Sequence, residues 1–281
     1  MPGRCLLFTL AALCCVAAAL TTTTTASASP AVRFGIQDDA WLEHGPGTLV
    51  QRVDELNQLG VDLVRVTLDW STIEATRGEL DWTRPDALLE GLRDGGIAPL
   101  VTLWGTPSWA NGGRGPNWGP TRAADFARFA GAAAARYGFV RQWLIWNEPN
   151  NGRWFRPVSP IVYTTKLLNP GYRAIKSANP RARVGGGVTA PRGGSGGMSP
   201  VDFIRGMSRA GARLDAVAHH PYPRGPSDTP FSGGCAHCKT ITMSTLERLV
   251  REVGRGFPRA RIWLTEYGYQ TNPPDRFLGV S

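Results

Sequence analysis

The feature that most constrains the fold of this chain is a regular alternation of short apolar segments and amphipathic segments of helical length. We predict strands at residues 32–36, 63–68, 98–103, 142–146, 183–187, 214–218 and 261–265. We predict helices at residues 48–59, 85–94, 122–137, 160–178, 201–210 and 243–253. Strands that alternate with helices of this size form βαβ units, so the pattern predicts a parallel sheet in an α/β protein.

The number of these units predicts a (β/α)8 barrel of the TIM type that is truncated after its seventh strand. A complete barrel has eight strands and typically about 250 residues. Only residues 267–281 follow the seventh predicted strand, enough for a loop but not for another helix and strand. We therefore expect one catalytic domain, residues 30–281, that lacks the last βα unit and leaves its first and seventh strands as sheet edges.

Residues 1–29 have the pattern of a secretory signal peptide. Arg4 precedes an apolar run at residues 6–20, and Ala26, Ser27 and Ala28 form a small-x-small cleavage pattern. The apolar run is too short to span a bilayer. An uncleaved N-terminal anchor is the alternative interpretation, and both predict export from the cytoplasm. We expect a secreted protein with no stable membrane span once the signal has been removed.

The cysteines indicate a local disulfide. Three of the five cysteines lie in the predicted signal peptide, so the mature chain keeps only Cys235 and Cys238. A C-x-x-C pair occurs in redox motifs, in zinc sites and in small disulfide loops. No second pair completes a zinc site, and export favours oxidation. We predict a structural Cys235–Cys238 disulfide and no metal site.

The charge pattern argues against a nucleic-acid partner. The formal net charge is +9, and it comes almost entirely from arginines that are spread singly along the chain. Nucleic-acid-binding proteins usually concentrate such charge on one face. The chain also lacks a glycine-rich phosphate loop after its first predicted strand and a His-Glu-x-x-His pattern, so we expect no cofactor.

Two glutamates follow apolar strands directly. Glu148 follows the fourth predicted strand and Glu266 follows the seventh. Catalytic groups of a barrel lie at the C-terminal ends of its strands, and glycoside cleavage needs one carboxylic acid and one carboxylate about the anomeric carbon. A single strand-end glutamate is more often a surface or capping residue. Two of them in one barrel, with Asn147 and Pro149 beside Glu148, favour catalysis.

Several motifs in the same order support this interpretation. They are Val64-Arg65-Val66 with Trp70, Thr106-Pro107-Ser108-Trp109-Ala110, Asn147-Glu148-Pro149, His219-His220-Pro221-Tyr222, and Glu266 after the seventh strand. In these motifs the chain resembles the clan A glycoside hydrolases, which are retaining enzymes on the (β/α)8 fold. It is most similar to the family 39, xylosidase-like, and family 5, cellulase-like, members.

The resemblance implies roles for the two glutamates and their neighbour. Glu148 would protonate the leaving oxygen and later deprotonate water, and Glu266 would form a covalent glycosyl-enzyme. Asn147 would bind the 2-hydroxyl group of the sugar.

The resemblance also implies supporting residues. Arg65 would hold Glu266 ionised, and His220 and Tyr222 would orient the glutamate pair. A salt bridge inside the barrel is the alternative role of Arg65. Family members also carry a tryptophan on the eighth strand, and this sequence has no counterpart there.

Tryptophans at strand ends and in the loops that follow suit a carbohydrate site. We predict that Trp104 and Trp109 stack on sugar rings, although packing in the core is the commoner role of tryptophan.

The predicted function is a secreted retaining β-glycosidase that hydrolyses β-linked polysaccharide or oligosaccharide, similar to a β-xylosidase or an endoglucanase. A non-catalytic carbohydrate-binding barrel and a basic adhesion protein are the alternatives.

Overall fold

The computed structural model describes residues 33–271 and 279–280, except residues 195 and 236. The predicted signal peptide, residues 1–29, lies outside this part of the chain. Within the described residues, no helix has the length and apolar character needed to cross a membrane.

The main sheet has seven parallel strands in the order in which they occur along the chain. The strands are β1 (Gly35–Ile36), β2 (Leu63–Asp69), β3 (Ala98–Trp104), β4 (Gln142–Ile145), β5 (Arg183–Thr189), β6 (Ala216–His219) and β7 (Arg261–Leu264). This order with a curled sheet is that of a (β/α)8 barrel without its eighth strand. The prediction of a barrel truncated after its seventh strand is confirmed for the described residues.

Helices follow the strands and cover the outer face of the sheet. They are α1 (Asp39–His44), α2 (Leu49–Gln58), α3 (Trp70–Ile73), α4 (Thr83–Asp94), α5 (Ser108–Asn111), α6 (Ala123–Arg136), α7 (Pro160–Tyr163), α8 (Asn169–Ala178), α9 (Pro200–Arg209) and α10 (Glu247–Gly256). A short parallel pair, β8 (Gln270–Thr271) and β9 (Gly279–Val280), stands apart from the main sheet.

Local sequence explains where two of these helices begin. Thr48 precedes α2, and its hydroxyl accepts from the Gln51 amide while the Gln51 side chain accepts from the Thr48 amide, which forms a capping box. Between α7 and α8, residues Thr164–Leu168 form a π-helical segment. Pro170 follows in the first turn of α8, and its missing amide proton prevents the regular α-helical bond there.

Most of the core lies between the sheet and the helices. Trp70 stacks on Phe129 with ring centroids 5.6 Å apart, and the rings of Trp143 and Trp146 are fully buried in the same cluster. A smaller cluster of Leu100, Leu144, Val188 and Ala218 lies on the opposite face of the strands, inside the curve of the sheet.

Candidate active site

Side chains from four strands and the residues that follow them meet at one polar site. β2 contributes Arg65, and the residues directly after β4, β6 and β7 include Glu148, His220 and Glu266. The carboxyl ends of parallel strands lie on one face of a barrel, which brings these distant residues together.

The backbone that presents Glu148 is strained. Trp146, Glu148 and Val188 have φ angles of 73°, 42° and 41°, in the left-handed region that non-glycine residues rarely adopt. Val188 is a β-branched residue, for which this conformation is a genuine outlier. Its carbonyl accepts from the Glu148 amide at 2.9 Å, so two strained residues fix each other across β4 and β5. Such strain persists where the surrounding structure holds it, and it concentrates at functional sites.

Arg65 is the centre of the polar network. Its side chain is only 2% exposed and is ion-paired with Glu266. It also donates to Asn147 Oδ1 at 2.8 Å and to Thr102 Oγ1 at 2.8 Å. The planar guanidinium offers five donors in a fixed geometry, so it fixes Glu266 and Asn147 relative to each other.

Glu148 is in a different environment from Glu266. It is 9% exposed, and burial together with the charge of Glu266 raises its pKa to about 7, against smaller opposing effects that include Arg65. Glu148 is therefore substantially protonated near neutral pH, which is the state that a general acid requires.

His220 is fully buried between the two glutamates. Burial and the positive charge of Arg65 hold its pKa well below the usual value, so the imidazole is neutral. Its Nε2 atom lies 3.4 Å from the Arg65 guanidinium, which can only donate, so we assign the proton to Nδ1. Nδ1 then donates to Glu148 Oε1 at 3.0 Å, which leaves Oε2 to carry the acid proton.

Tyr222 contacts Glu266 from the side away from Arg65. Its hydroxyl donates to Glu266 Oε2 at 3.1 Å, while Arg65 binds Oε1. Burial and the charge of Glu266 raise the pKa of Tyr222, so the phenol keeps its proton. Both oxygens of Glu266 are therefore held by donors.

The two carboxyl groups are close. A carboxylate oxygen of Glu148, a ring nitrogen of His220 and a carboxylate oxygen of Glu266 all lie within 4.8 Å of one another. Three such groups have the spacing of a metal site, but Arg65 pairs with Glu266 and lies beside His220, so a cation would meet a fixed positive charge. The arrangement is therefore better suited to two carboxyl groups that act on a substrate than to the binding of a metal ion.

Two spaces open from this site. The first, the Glu266 pocket, has a volume of about 550 Å³ and is lined by Arg65, Trp104, Asn147, Glu148 and Glu266, among others. The second, the Arg153 groove, has a volume of about 620 Å³ and is lined by residues that include Glu148, Arg153, Trp154, Arg192, Tyr222 and Tyr269. Both volumes fall in the range of small-molecule sites, about 300–1,000 Å³.

Comparison with solved structures identifies the fold. The structure superimposes on a family 39 glycoside hydrolase from the gut symbiont Bacteroides cellulosilyticus WH2 with a TM-score of 0.64 and 21% identity. It superimposes on the family 39 enzyme from Xanthomonas axonopodis pv. citri with a TM-score of 0.63 and 23% identity. An exo-β-1,4-mannosidase from Opitutaceae bacterium strain TAV5 gives a TM-score of 0.56 and 18% identity.

The chain has the fold of the family 39 glycoside hydrolases. The resemblance inferred from the sequence motifs is confirmed at the level of the fold. No protein-family model and no curated protein matches the sequence.

The three superpositions cover 84%, 87% and 84% of this chain. They cover 49%, 52% and 45% of the respective solved chains, so this chain spans about half their length.

The two tryptophans predicted to bind sugar lie in different environments. Trp104 lines the Glu266 pocket, and its ring meets Trp154 edge-on at 5.9 Å. Trp109 lies outside both spaces as described. Its indole N–H donates to the Glu74 carbonyl at 2.8 Å, and Arg77 lies 5.1 Å from its ring centroid. These contacts give no support to the prediction that Trp109 stacks on a sugar ring, because Arg77 and Trp70 lie against its ring.

His219 and the cysteine pair have structural roles. His219 is fully buried, with Nδ1 2.8 Å from Thr189 Oγ1 and Nε2 3.1 Å from the Ile241 carbonyl, and burial lowers its pKa to about 4. Cys235 and Cys238 are joined by a disulfide.

Sequence reasoning missed Asn150, which fixes the loop after β4. Its amide nitrogen donates to the carbonyls of Ala190 and Met198 at 3.2 and 3.0 Å, and its oxygen accepts from the Ala190 amide at 2.8 Å. These bonds tie the segment that carries Glu148 to the loop after β5. The position of Asn150, two residues after a candidate acid, was the signal available in the sequence.

Proposed function

We propose that this protein is a retaining β-glycosidase in which Glu148 is the general acid/base and Glu266 is the nucleophile. The observation that supports the mechanism is the close approach of the two carboxyl groups, since a carboxylate oxygen of Glu148 lies within 4.8 Å of one of Glu266. Retaining glycosidases hold their carboxyl groups about 5–5.5 Å apart, whereas inverting enzymes need about 6.5–9.5 Å to admit a water molecule.

In the first step, Glu266 attacks the anomeric carbon and donates an electron pair to form a glycosyl ester. The bond between that carbon and the leaving oxygen breaks, and the oxygen takes its electron pair together with the proton of Glu148. Glu148 starts this step protonated because burial and Glu266 raise its pKa to about 7.

In the second step, Glu148 removes a proton from water, and the water oxygen attacks the anomeric carbon. The ester bond to Glu266 breaks, its electrons return to the carboxylate, and Glu148 regains its proton. Both residues end in their starting states, so the cycle needs no cofactor.

The neighbouring residues prepare this cycle. Arg65 and Tyr222 donate to opposite oxygens of Glu266 and stabilise its ionised form. Asn147, fixed by Arg65, faces the Glu266 pocket and would bind the sugar 2-hydroxyl group, a bond that strengthens in the transition state. Trp104 offers an apolar surface for the sugar ring.

We further propose that the substrate is a β-linked polysaccharide or oligosaccharide and that the protein is secreted. The signal-like sequence of residues 1–29 supports secretion. The β-xylosidase-like and endoglucanase-like activities are the finer proposals, and they rest on the motif resemblance. The neighbouring structures include enzymes described as a mannosidase, a glucosidase and galactosidases, so the fold accommodates several sugars.

The test is covalent trapping. The protein is incubated with a panel of 2-fluoro β-glycosides that carry activated leaving groups, and its intact mass and peptide map are measured. We expect one sugar to add its mass to the Glu266 peptide, and Glu266→Gln to abolish the addition. Glu247→Gln is the matched control, because Glu247 is an exposed glutamate on α10 with a side chain 79% exposed.

Label on any residue other than Glu266 would refute the assignment of the nucleophile. Binding of sugars without label on any member of the panel, and without release of reducing ends from polysaccharides, would identify a carbohydrate-binding barrel instead.

A further inference from the structure

The Arg153 groove lies where the leaving group of the proposed reaction must go. Glu148 lines both the groove and the Glu266 pocket, whereas Glu266 lines the pocket alone. The acid contacts the leaving oxygen, so the sugar on that side of the scissile bond extends into the space that Glu148 shares and Glu266 does not. This placement rests on the proposed function.

The charged residues are divided unevenly between the two spaces. Asp38, Asp39 and Asp69 line the Glu266 pocket. In the Arg153 groove, Glu148 is the sole carboxyl group among the described lining residues, and Arg153 and Arg192 are the basic groups. Two arginines against one carboxyl group leave the groove net positive whether Glu148 is protonated or ionised.

The arginines of the two spaces also differ in their partners. Arg65 and Arg84, in the Glu266 pocket, are ion-paired with Glu266 and Glu43. Within the described part of the chain, no hydrogen bond or ion pair joins the guanidinium groups of Arg153 and Arg192 to another residue. Arg153 instead lies beside the Trp154 ring, 5.9 Å from its centroid. Their donors are therefore available to a ligand.

The rest of the groove suits a sugar ring. Trp154, Tyr222 and Tyr269 supply aromatic surface. Tyr269 is held in place because its hydroxyl donates to the Asp228 carbonyl at 2.6 Å. Aromatic faces bind the apolar face of a sugar, and the arginines lie at the same groove.

We propose that the Arg153 groove binds a leaving-group sugar with an anionic substituent, a carboxylate or a sulfate ester. Guanidinium groups bind such oxyanions in a bidentate manner, with stronger hydrogen bonds than neutral donors make. The substrate class is thus an acidic β-linked glycan, with an uncharged sugar in the Glu266 pocket and an acidic sugar in the groove. The aspartates of the pocket disfavour a second anion there.

The test is direct binding measured by calorimetry at low and moderate salt. The probes are methyl β-D-glucuronide, methyl β-D-glucoside 6-sulfate and uncharged methyl β-D-glucoside. We expect both anionic probes, or one of them, to bind more tightly than the uncharged probe, and the tighter of the two identifies carboxylate or sulfate as the natural group. Arg153→Gln and Arg192→Gln should each weaken anionic binding about three- to tenfold, with uncharged binding unchanged.

Arg209→Gln is the matched control, because Arg209 is an exposed arginine of α9 outside the groove, and its loss changes the net charge equally. Equal affinity for all three probes would overturn the inference. So would an effect of Arg209→Gln as large as that of the groove variants, since it would show attraction by net charge alone.

This measurement requires no turnover, so it separates the inference from the proposed function. Anionic preference that depends on Arg153 and Arg192, in a protein that no 2-fluoro glycoside labels, would support the groove and overturn the glycosidase assignment. Label on Glu266 together with equal probe affinities would support the glycosidase and overturn the groove.

Discussion

Formation of the glycosyl-enzyme should lower the pKa of Glu148. Esterification of Glu266 removes its negative charge, which is one of the two causes that raise the pKa of Glu148 to about 7. Two unit charges 4.8 Å apart interact by about 3.5 kcal/mol at an effective dielectric constant of about 20. That energy corresponds to about 2.5 pH units.

The expected change is smaller than this value. Arg65 already neutralises much of the Glu266 charge, and burial, the larger cause, persists in the intermediate. We expect the pKa of Glu148 to fall by about one pH unit. The fall would convert the same residue from an acid into a base when the second step needs one.

The assay is a carbon NMR titration of protein labelled at glutamate carboxyl groups, before and after trapping with a 2-fluoro glycoside. Glu148→Gln identifies the signal, because it removes the titrating group. An unchanged pKa in the trapped protein would refute the electrostatic coupling of the two glutamates.

Three further predictions follow from the site. Glu148→Ala should retain hydrolysis of aryl glycosides with good leaving groups, whereas Glu266→Ala should abolish hydrolysis of all aryl glycosides. Steady-state rates measured across a series of leaving groups check this. Equal losses of rate in both variants would contradict the roles assigned to the two glutamates. Asn150→Ala removes three hydrogen bonds, two of them buried and one partly buried, so urea denaturation should show a loss of about 2–3 kcal/mol in the free energy of unfolding. The variant should also have a lower kcat, which a purely distant defect would not cause. The folded pKa of His219, about 4, lies below its unfolded value of about 6.5, so its stabilising contribution is full above pH 6.5 and falls as the pH drops. Between pH 7 and pH 5 the free energy of unfolding should fall by about 2 kcal/mol because of His219. Urea titrations at several pH values measure this fall, and His219→Gln should flatten the dependence of stability on pH in this range.

The strands and the positions of the two glutamates could be predicted because both depend on local patterns. Largely apolar segments that include valine and threonine define β2, β3 and β5, and a residue at a strand end reaches the same barrel face in any such fold. The split of residues 160–178 at Thr164–Leu168 was not predicted, since it depends on how Pro170 is accommodated within a continuous helix.

Other features depend on tertiary contacts that no short segment contains. After α4, Gly96 adopts the left-handed conformation with φ 78°, and a Cβ atom at Gly95 would lie 2.2 Å from Val53 Cγ1 of α2. Trp109 resembles a sugar-stacking residue in its motif, and its contacts with the Glu74 carbonyl and the Arg77 guanidinium could not be inferred from that motif. The pKa of Glu148 likewise depends on burial by the assembled barrel.

The left-handed backbone at Trp146, Glu148 and Val188 has a consequence for laboratory evolution of this protein. Strained residues of this kind cost of order 1–3 kcal/mol each, so relaxing any of them is an accessible route to higher melting temperature. A screen that rewards thermal tolerance alone would therefore enrich changes at the end of β4 that turn the Glu148 side chain away from the opening. A campaign to stabilise the fold should keep these three positions fixed and draw its substitutions from the outer helices.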